Sequence, residues 1–217
     1  MTERDDILRA IGRALHRGAP SPARGAAVAE RLARPPANPL PSRARPPHDR
    51  QVALFEEMAA AVAATIVHVS EGAVVAAAAA YLAENGLPQT AVVAPALQTA
   101  GDWHPLTVRF GTAGPDDAVG LAPAFAGVAE TGTLVLLSGP RTPTRLNFLP
   151  DTHIVILAAA DIVGTYEDAW RRIRALPDGL PRTVNLITGP SRTGDIEQTI
   201  QLGAHGPRRL HIVIVDG

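Results

Sequence analysis

The feature that most constrains the fold is an alternation of short strand-like segments and longer helix-like segments. Residues 65–69 are rich in β-branched side chains, residues 71–84 are rich in alanine, and residues 90–94 are again apolar. Asn85 and Gly86 follow the middle segment, and such a pair commonly ends a helix. A strand, a helix and a second strand in this order predict a right-handed βαβ unit and hence a parallel sheet. Further strands are predicted at residues 106–110, 153–157, 183–188 and 210–215, and further helices at residues 51–64 and 166–175, the latter capped by Thr165 and Asp168.

A polar cluster directly followed by an apolar run is the most informative single stretch. Residues 127–133 read Gly-Val-Ala-Glu-Thr-Gly-Thr, and residues 134–138 read Leu-Val-Leu-Leu-Ser. The apolar run predicts a strand that is buried on both faces, as in a parallel sheet. Loops that a rigid strand holds in place often carry binding and catalytic residues. The candidate site residues of this stretch are Glu130, Thr131, Gly132 and Thr133. The alternative is a turn in which the two threonines hydrogen-bond to nearby backbone and Glu130 is solvated.

The residue types that the sequence lacks exclude several kinds of chemistry. It contains no cysteine, which excludes thiol nucleophiles, thiolate zinc sites and iron–sulfur clusters held by this chain. It contains no lysine, which excludes Schiff-base chemistry and a P-loop. No G-x-G occurs, so the fingerprint of dinucleotide binding is absent, and the scattered histidines predict no metal site. No apolar stretch reaches membrane-spanning length and the segment after Met1 is charged, so a cytoplasmic protein is expected.

The first 50 residues differ in composition from the rest of the chain. They hold ten arginines against five acidic residues, and proline is frequent between residues 19 and 50. An apolar stripe of Ile7, Leu8, Ile11 and Leu15 predicts a short amphipathic helix that needs another surface to bury it. The proline-rich part predicts an extended linker, interrupted at most by a helical turn around residues 26–33. We therefore predict an arm at residues 1–50 and an α/β domain at residues 51–217. A basic arm can bind nucleic acid, but its lack of interleaved aromatic residues favours a solvated arm.

A second polar stretch, at residues 188–197, has the composition of an anion site. It reads Thr-Gly-Pro-Ser-Arg-Thr-Gly-Asp-Ile-Glu and follows the apolar strand at residues 184–187. Exposed backbone N–H groups and a guanidinium after a strand can share the charge of an anion. The alternative is a turn in which Asp195 neutralises Arg192. The candidate ligand-binding residues are Gly189, Ser191, Arg192, Thr193 and Asp195, joined by His205 and Gly206 from the segment before the last strand.

The two polar stretches are expected to lie close together. Both flank apolar strands that are predicted to be neighbours in one sheet, so Glu130 is predicted near the anion site. An acidic side chain beside an anion needs a positive partner, a ligand hydroxyl or a proton. Arg145 and Arg192 are the candidate partners.

The order of these motifs resembles the lactate-utilisation protein C family, one of the LUD-domain proteins. The resemblance rests on the motifs at residues 129–133, 141–157, 189–197 and 202–216. It is dense from residue 117 to residue 216 and looser from residue 51 to residue 116. It implies a three-layer α/β/α fold with a mostly parallel sheet, similar to sugar isomerases and CoA transferases.

The resemblance also implies a role in a bacterial multi-protein system that oxidises L-lactate to pyruvate. Other members of that system carry iron–sulfur clusters, so this cysteine-free chain would be the component without a cluster. A glutamate performs covalent chemistry in CoA-transferase-like folds, and Glu130 is its tempting counterpart. The transferase signature does not match here, however, and that role is not transferred.

Three functional hypotheses follow. The first is a cluster-free component of a lactate-oxidising system that binds a small anionic or nucleotide-like ligand and works with iron–sulfur protein subunits. A homodimer that exchanges its N-terminal helices is an alternative to such partners. The second hypothesis is a stand-alone transferase or isomerase that uses Glu130 as nucleophile or base. The third is a regulatory module whose arm contacts nucleic acid.

Overall fold

The computed structural model describes residues 3–16, 21–35, 39–194, 200–203 and 205–217. It divides into two compact units, Met1–Pro39 and Leu40–Gly217. The helices are α1 (Glu3–Ala14), α2 (Pro22–Ala33), α3 (His48–Ala61), α4 (Val74–Glu84) and α5 (Tyr166–Arg174). The strands are β1 (Thr65–Ser70), β2 (Thr90–Val93), β3 (Thr107–Phe110), β4 (Val119–Pro123), β5 (Ala126–Val128), β6 (Thr133–Leu137), β7 (Thr152–Ala158), β8 (Ile162–Val163), β9 (Val184–Ile187), β10 (Arg192–Gly194), β11 (Ile200–Leu202) and β12 (Arg209–Asp216).

The first unit consists of the helices α1 and α2. Helix α1 is amphipathic as predicted, and the apolar stripe of Ile7, Leu8, Ile11 and Leu15 is between 49 and 56% exposed. The prediction of an extended linker is wrong for α2, which has three turns rather than one. Pro22 occupies the first turn of α2, where a missing N–H costs nothing, and the Ser21 hydroxyl accepts a hydrogen bond from the Arg24 N–H at 3.3 Å.

The second unit begins before the predicted boundary at residue 50. The Ala44 side chain is buried, and helix α3 starts at His48 rather than at residue 51. The Gln51 side chain donates a hydrogen bond to the Pro46 carbonyl at 2.9 Å. Residues 40–50 are therefore part of the second compact unit in the structure.

Six parallel strands form the main sheet, in the order β1-β12-β7-β4-β2-β3. This confirms the predicted α/β class with a mostly parallel sheet. Strand β4 was not among the predicted strands, and Gly120 and Pro123 weaken its strand signal. Helix α5 begins with the predicted capping box, in which Thr165 and Asp168 each bond to the other's backbone N–H. No helix within the described residues is both long and apolar enough to cross a bilayer.

The apolar run after the central motif belongs to a second sheet, of order β8-β5-β6-β9. Strand β6 is buried as predicted, but it pairs antiparallel with both β5 and β9, so the prediction of a parallel environment is wrong. Its two faces are covered by different layers. One packs with α3 and the main sheet around Phe55 and Val155, and the other contributes Val135 to a cluster with Ile173 of α5. The far face of the main sheet packs against α4.

Candidate functional site

A cavity of about 280 Å³ lies where the second polar stretch meets the segment before β12. Its walls come from the end of β9 and the loop after it, from the turn that precedes β7, and from the start of β12. The lining residues are Asn147, Phe148, His153, Leu186, Ile187, Thr188, Gly189, Pro190, Ser191, Arg192, His205, Gly206, Pro207 and Leu210. Of the predicted ligand-binding residues, the cavity brings together Gly189, Ser191, Arg192, His205 and Gly206.

Backbone contacts hold the two cavity loops in place. The Ser191 N–H donates to the Pro207 carbonyl at 2.8 Å, and the Ser191 carbonyl accepts from the Gly203 N–H at 3.0 Å. Gly189 has a φ of +78°, and a Cβ atom there would lie 2.5 Å from the Val62 carbonyl oxygen. Glycine is therefore required at residue 189 both by its backbone conformation and by the close approach of the chain after α3.

Arg192 provides the cationic group at the cavity. Its side chain is exposed, and one guanidinium nitrogen donates to the Val62 carbonyl at 2.7 Å. A guanidinium carries five N–H donors, so this contact orients the group while leaving donor capacity for an anion. Thr193 continues the backbone into β10. Asp195 lies outside the described residues, so the predicted pairing of Asp195 with Arg192 stays a prediction.

His153 is a cavity residue that the sequence did not single out for ligand binding. It is the second residue of β7 and is fully buried, and neither ring nitrogen has a hydrogen-bond partner among the described residues. Burial lowers the pKa of His153 to about 3, so the imidazole is neutral near pH 7. A buried polar group without a partner is uncommon in folded proteins.

Four hydroxyl groups connect the central motif to the cavity. The Thr133 hydroxyl lies 2.7 Å from the Thr131 hydroxyl, 2.8 Å from the Tyr166 hydroxyl and 2.7 Å from the Thr188 hydroxyl. Tyr166 and Thr131 are also joined, at 3.0 Å. Thr188 lines the cavity, whereas Thr131, Gly132 and Thr133 do not. The pairing of β6 with β9 brings Thr133 to Thr188, whereas the predicted closeness of Glu130 to the anion site stays a prediction.

Glu130 is buried against helix α5 rather than solvated. One carboxylate oxygen accepts a hydrogen bond from the Tyr166 N–H at 3.0 Å, at the first residue of α5. A carboxylate at this position is favoured by the unpaired N–H groups and the dipole of the helix. The Glu130 carbonyl accepts from the Arg43 guanidinium at 3.2 Å. The predicted pairing with Arg145 or Arg192 is not among the contacts of the described residues, and Arg145 is exposed in the turn at Thr144–Asn147.

The alternative prediction for the central motif, a turn with a solvated Glu130, is also wrong. Glu130 is only 8% exposed, and the two threonine hydroxyls bond to each other and to Tyr166 of α5, while Thr133 also bonds to Thr188 just after β9. Gly132 has a φ of +65°, and a Cβ atom there would lie 2.3 Å from the backbone nitrogen of Ala59 in α3. The motif thus joins the second sheet to helices α3 and α5.

The described residues contain no group of three or more histidine, cysteine, aspartate or glutamate side chains placed to hold a metal ion. The chemistry that the cavity offers is carried by a guanidinium, two hydroxyls, the Asn147 amide, two histidines and backbone N–H groups.

Comparison with known proteins identifies the segment that carries this cavity. Residues 116–215 match the LUD domain family. This confirms the resemblance drawn from the motifs, and every residue that lines the cavity falls inside the matched LUD domain.

Curated relatives match somewhat less than half of the chain. An uncharacterised protein of Neisseria meningitidis serogroup B is 38% identical over 44% of this chain and 41% of its own length. Lactate utilization protein C of a Geobacillus species is 37% identical over 45% of this chain and 42% of its own length. The protein of the same name from Macrococcus caseolyticus is 34% identical over 45% of this chain and 44% of its own. The matched segment thus spans less than half the length of these relatives.

A solved structure extends the similarity in fold beyond the LUD segment. The crystal structure of a DUF162 family protein from Deinococcus radiodurans superposes with a TM-score of 0.61 and 23% sequence identity. The superposition covers 82% of this chain and 99% of the other. At that identity the similarity concerns the fold alone.

Proposed function

We propose that this chain is a component of a bacterial L-lactate utilisation system, and that it binds a small anionic ligand in the cavity of its LUD domain. The role in lactate utilisation is supported by relatives named lactate utilization protein C, which are 34–37% identical over 45% of this chain. In this proposal the chain is cytoplasmic, holds no cluster of its own and works with iron–sulfur protein subunits.

The cavity beside Arg192 is the observation that carries the proposal of anion binding. The Arg192 guanidinium, oriented by the Val62 carbonyl, lines the same cavity as Ser191 and His205. Charge-assisted hydrogen bonds from guanidinium to carboxylate or phosphate are among the stronger polar contacts in proteins. No acidic side chain is among the residues that line the cavity, so nothing in its described walls would repel an anion.

The volume of the cavity favours a small ligand. About 280 Å³ is at the lower end of the range for pockets that hold small molecules and cofactors. It suits a short carboxylic acid or an inorganic phosphate better than an extended nucleotide. The enzyme hypothesis that uses Glu130 as a nucleophile gains no support, because the Glu130 carboxylate is bonded at the start of α5 and does not line the cavity.

Binding measurements on the purified chain test this proposal. We expect isothermal titration to detect at least one of L-lactate, pyruvate and inorganic phosphate. Arg192→Ala should weaken that binding by about 1.5–3 kcal/mol, the scale of a hydrogen bond to a charged group. Arg141→Ala is the matched control, since Arg141 is also exposed, also bonds a backbone carbonyl and does not line the cavity.

A growth assay tests the cellular role. A bacterial host that lacks its own lactate-utilisation protein C should recover growth on L-lactate when it expresses this chain, and Arg192→Ala should recover less. Equal growth with both variants, or equal ligand affinity of Arg192→Ala and the wild type, would refute the assignment of Arg192 to the site. Absence of binding to all three probes would refute the anion-binding proposal itself.

A further inference from the structure

Resting on the proposed anion-binding function, we propose that His153 is a ligand-binding residue of the same cavity. Its imidazole hydrogen-bonds to a hydroxyl or carbonyl group of the ligand, while the anionic group of the ligand pairs with Arg192. The ligand class is therefore a short carboxylate that carries a second, uncharged oxygen, rather than a simple alkyl carboxylate or a bare anion.

The register of the main sheet shows that the neighbouring strands offer His153 no polar side chain, in line with its lack of a partner among the described residues. In the two neighbouring strands, the residues beside His153 are Leu210 of β12 and Gly120 of β4. Neither has a polar side chain that could bond to the ring. Gly120 cannot be enlarged to supply one, because a Cβ atom there would lie 2.8 Å from the Pro150 ring and 3.0 Å from the Leu146 carbonyl.

A second buried histidine of this sheet has one ring nitrogen paired within the fold, while its Nε2 atom has no partner among the described residues. His211 of β12 has its Nδ1 atom 2.9 Å from the Thr65 hydroxyl, and Thr65 is the residue beside it in β1. Its ring stacks on Tyr81 of α4, with 3.9 Å between ring centroids. His153 has no such hydrogen bond within the described residues and belongs to the cavity on the other face of the sheet.

The cavity around His153 decides what kind of ligand group would bond to it. Ile187 and Leu210 line the same cavity, and burial lowers the pKa of His153, so the imidazole is neutral near pH 7. A neutral imidazole has one N–H donor and one acceptor nitrogen. A hydroxyl can bond to either nitrogen and a carbonyl oxygen to the N–H, and neither requires a charge to be buried at the apolar wall. The charged end of the ligand is favoured at Arg192, which is exposed.

This arrangement predicts discrimination between carboxylates of equal charge and similar size. L-lactate and pyruvate carry an oxygen on the carbon next to the carboxylate, and propionate carries none. A site with a buried hydrogen-bonding group binds an analogue that lacks the matching group much less well, because the protein group is left unpaired. We expect at least one of lactate and pyruvate to bind about ten-fold tighter than propionate.

The test compares dissociation constants of these three probes and of inorganic phosphate for the wild type, His153→Phe and His211→Phe. His153→Phe should bind lactate, pyruvate and propionate with similar affinities, close to that of propionate for the wild type. His211→Phe should keep the preference of the wild type, since His211 lies outside the cavity. A wild type that binds all carboxylates equally, or a His153→Phe variant that keeps the preference, would overturn the role of His153 and leave the anion site intact.

The remaining outcomes are also decisive. If the wild type binds none of the probes, including phosphate, the proposed function fails and this inference fails with it. If His153→Phe does not fold, the imidazole ¹⁵N resonances of the wild-type protein are followed instead, with His153→Gln used to assign them. A shift of the His153 resonances with lactate or pyruvate but not with propionate supports direct contact, and no shift with any bound carboxylate refutes it.

Discussion

Replacing Thr133 by valine isolates the contribution of the hydroxyl cluster, because the two side chains have nearly the same shape. Thr133 is fully buried and its hydroxyl lies within 2.8 Å of three other hydroxyls. A hydroxyl has one donor and two acceptor sites, so three partners satisfy it completely. Valine removes all three contacts and introduces no larger volume.

The expected loss can be worked out from the partners that remain. Three hydrogen bonds at about 0.5–1.5 kcal/mol each set an upper range of about 1.5–4.5 kcal/mol. Thr131 and Tyr166 keep their bond to each other at 3.0 Å, and Thr188 is exposed, so water can replace its lost partner. None of the three hydroxyls that bond to Thr133 is therefore left without a partner in the variant. We therefore expect Thr133→Val to lower the free energy of unfolding by about 1.5–3 kcal/mol.

Urea unfolding followed by circular dichroism measures this loss, provided that the slope with denaturant is unchanged. Thr133→Ser is the matched control, because it keeps the hydroxyl and removes only a methyl group, at a cost of about 1 kcal/mol. A double-mutant cycle with Tyr166→Phe should give a coupling energy above about 0.5 kcal/mol. If Thr133→Val is as stable as the wild type, or if Thr133→Ser is the less stable variant, then packing and not hydrogen bonding makes this residue important.

Three further predictions address other parts of the structure. Gly132→Ala should lower the free energy of unfolding by at least about 2 kcal/mol, because an alanine there is strained at positive φ and its Cβ overlaps the backbone of α3. Gly72→Ala is the control and should have little effect, since no atom lies within 4 Å of the new Cβ. Urea unfolding compares the two variants. Stability should fall as the pH drops from about 6.5 toward 4, because burial lowers the pKa of His153 to about 3 and of His211 to about 4, so that protons bind the unfolded chain first. Each histidine contributes up to about 1.4 kcal/mol per pH unit in that window, and a phenylalanine at either position should flatten the measured slope. Deleting residues 1–18 should leave the melting temperature of the second compact unit unchanged. The same deletion should abolish co-purification with an iron–sulfur protein from a lactate-grown host. Retained co-purification would show that α1 is not the docking element.

The sequence predicted those elements best whose local signals agree with one another. Helix α5 has an apolar period and a complete capping box, and Thr165 and Asp168 occupy the predicted positions. Strand β1 has a β-branched composition and was predicted to within one residue. Where the signals disagree the prediction failed, as in β4, whose glycine and proline are poor strand formers but are tolerated near a strand end.

The direction of pairing in the second sheet could not be read from composition. Strand β6 is apolar on both faces because α5 covers one face and the main sheet with α3 covers the other. Two covered faces give the same continuous apolar run whether the neighbouring strands are parallel or antiparallel. The antiparallel pairing of β6 with β9 nevertheless brought Thr133 to Thr188, because the start of one strand then faces the end of the other.

The sequence predicted the loop residues of the candidate site but not His153 in its wall, and the difference has a physical reason. Glycines, a serine and an arginine after an apolar strand are a local pattern, and they line the cavity in the structure. His153 is functional in our proposal because of what surrounds it, and its neighbours Gly120 and Leu210 come from strands more than 30 and 50 residues away along the chain. His211 lies beside Thr65 in the sheet and pairs its Nδ1 atom with the threonine hydroxyl. His153 lies between a leucine and a glycine, and neither of its ring nitrogens has a partner among the described residues. A ligand can use this free hydrogen-bonding capacity at the cavity wall.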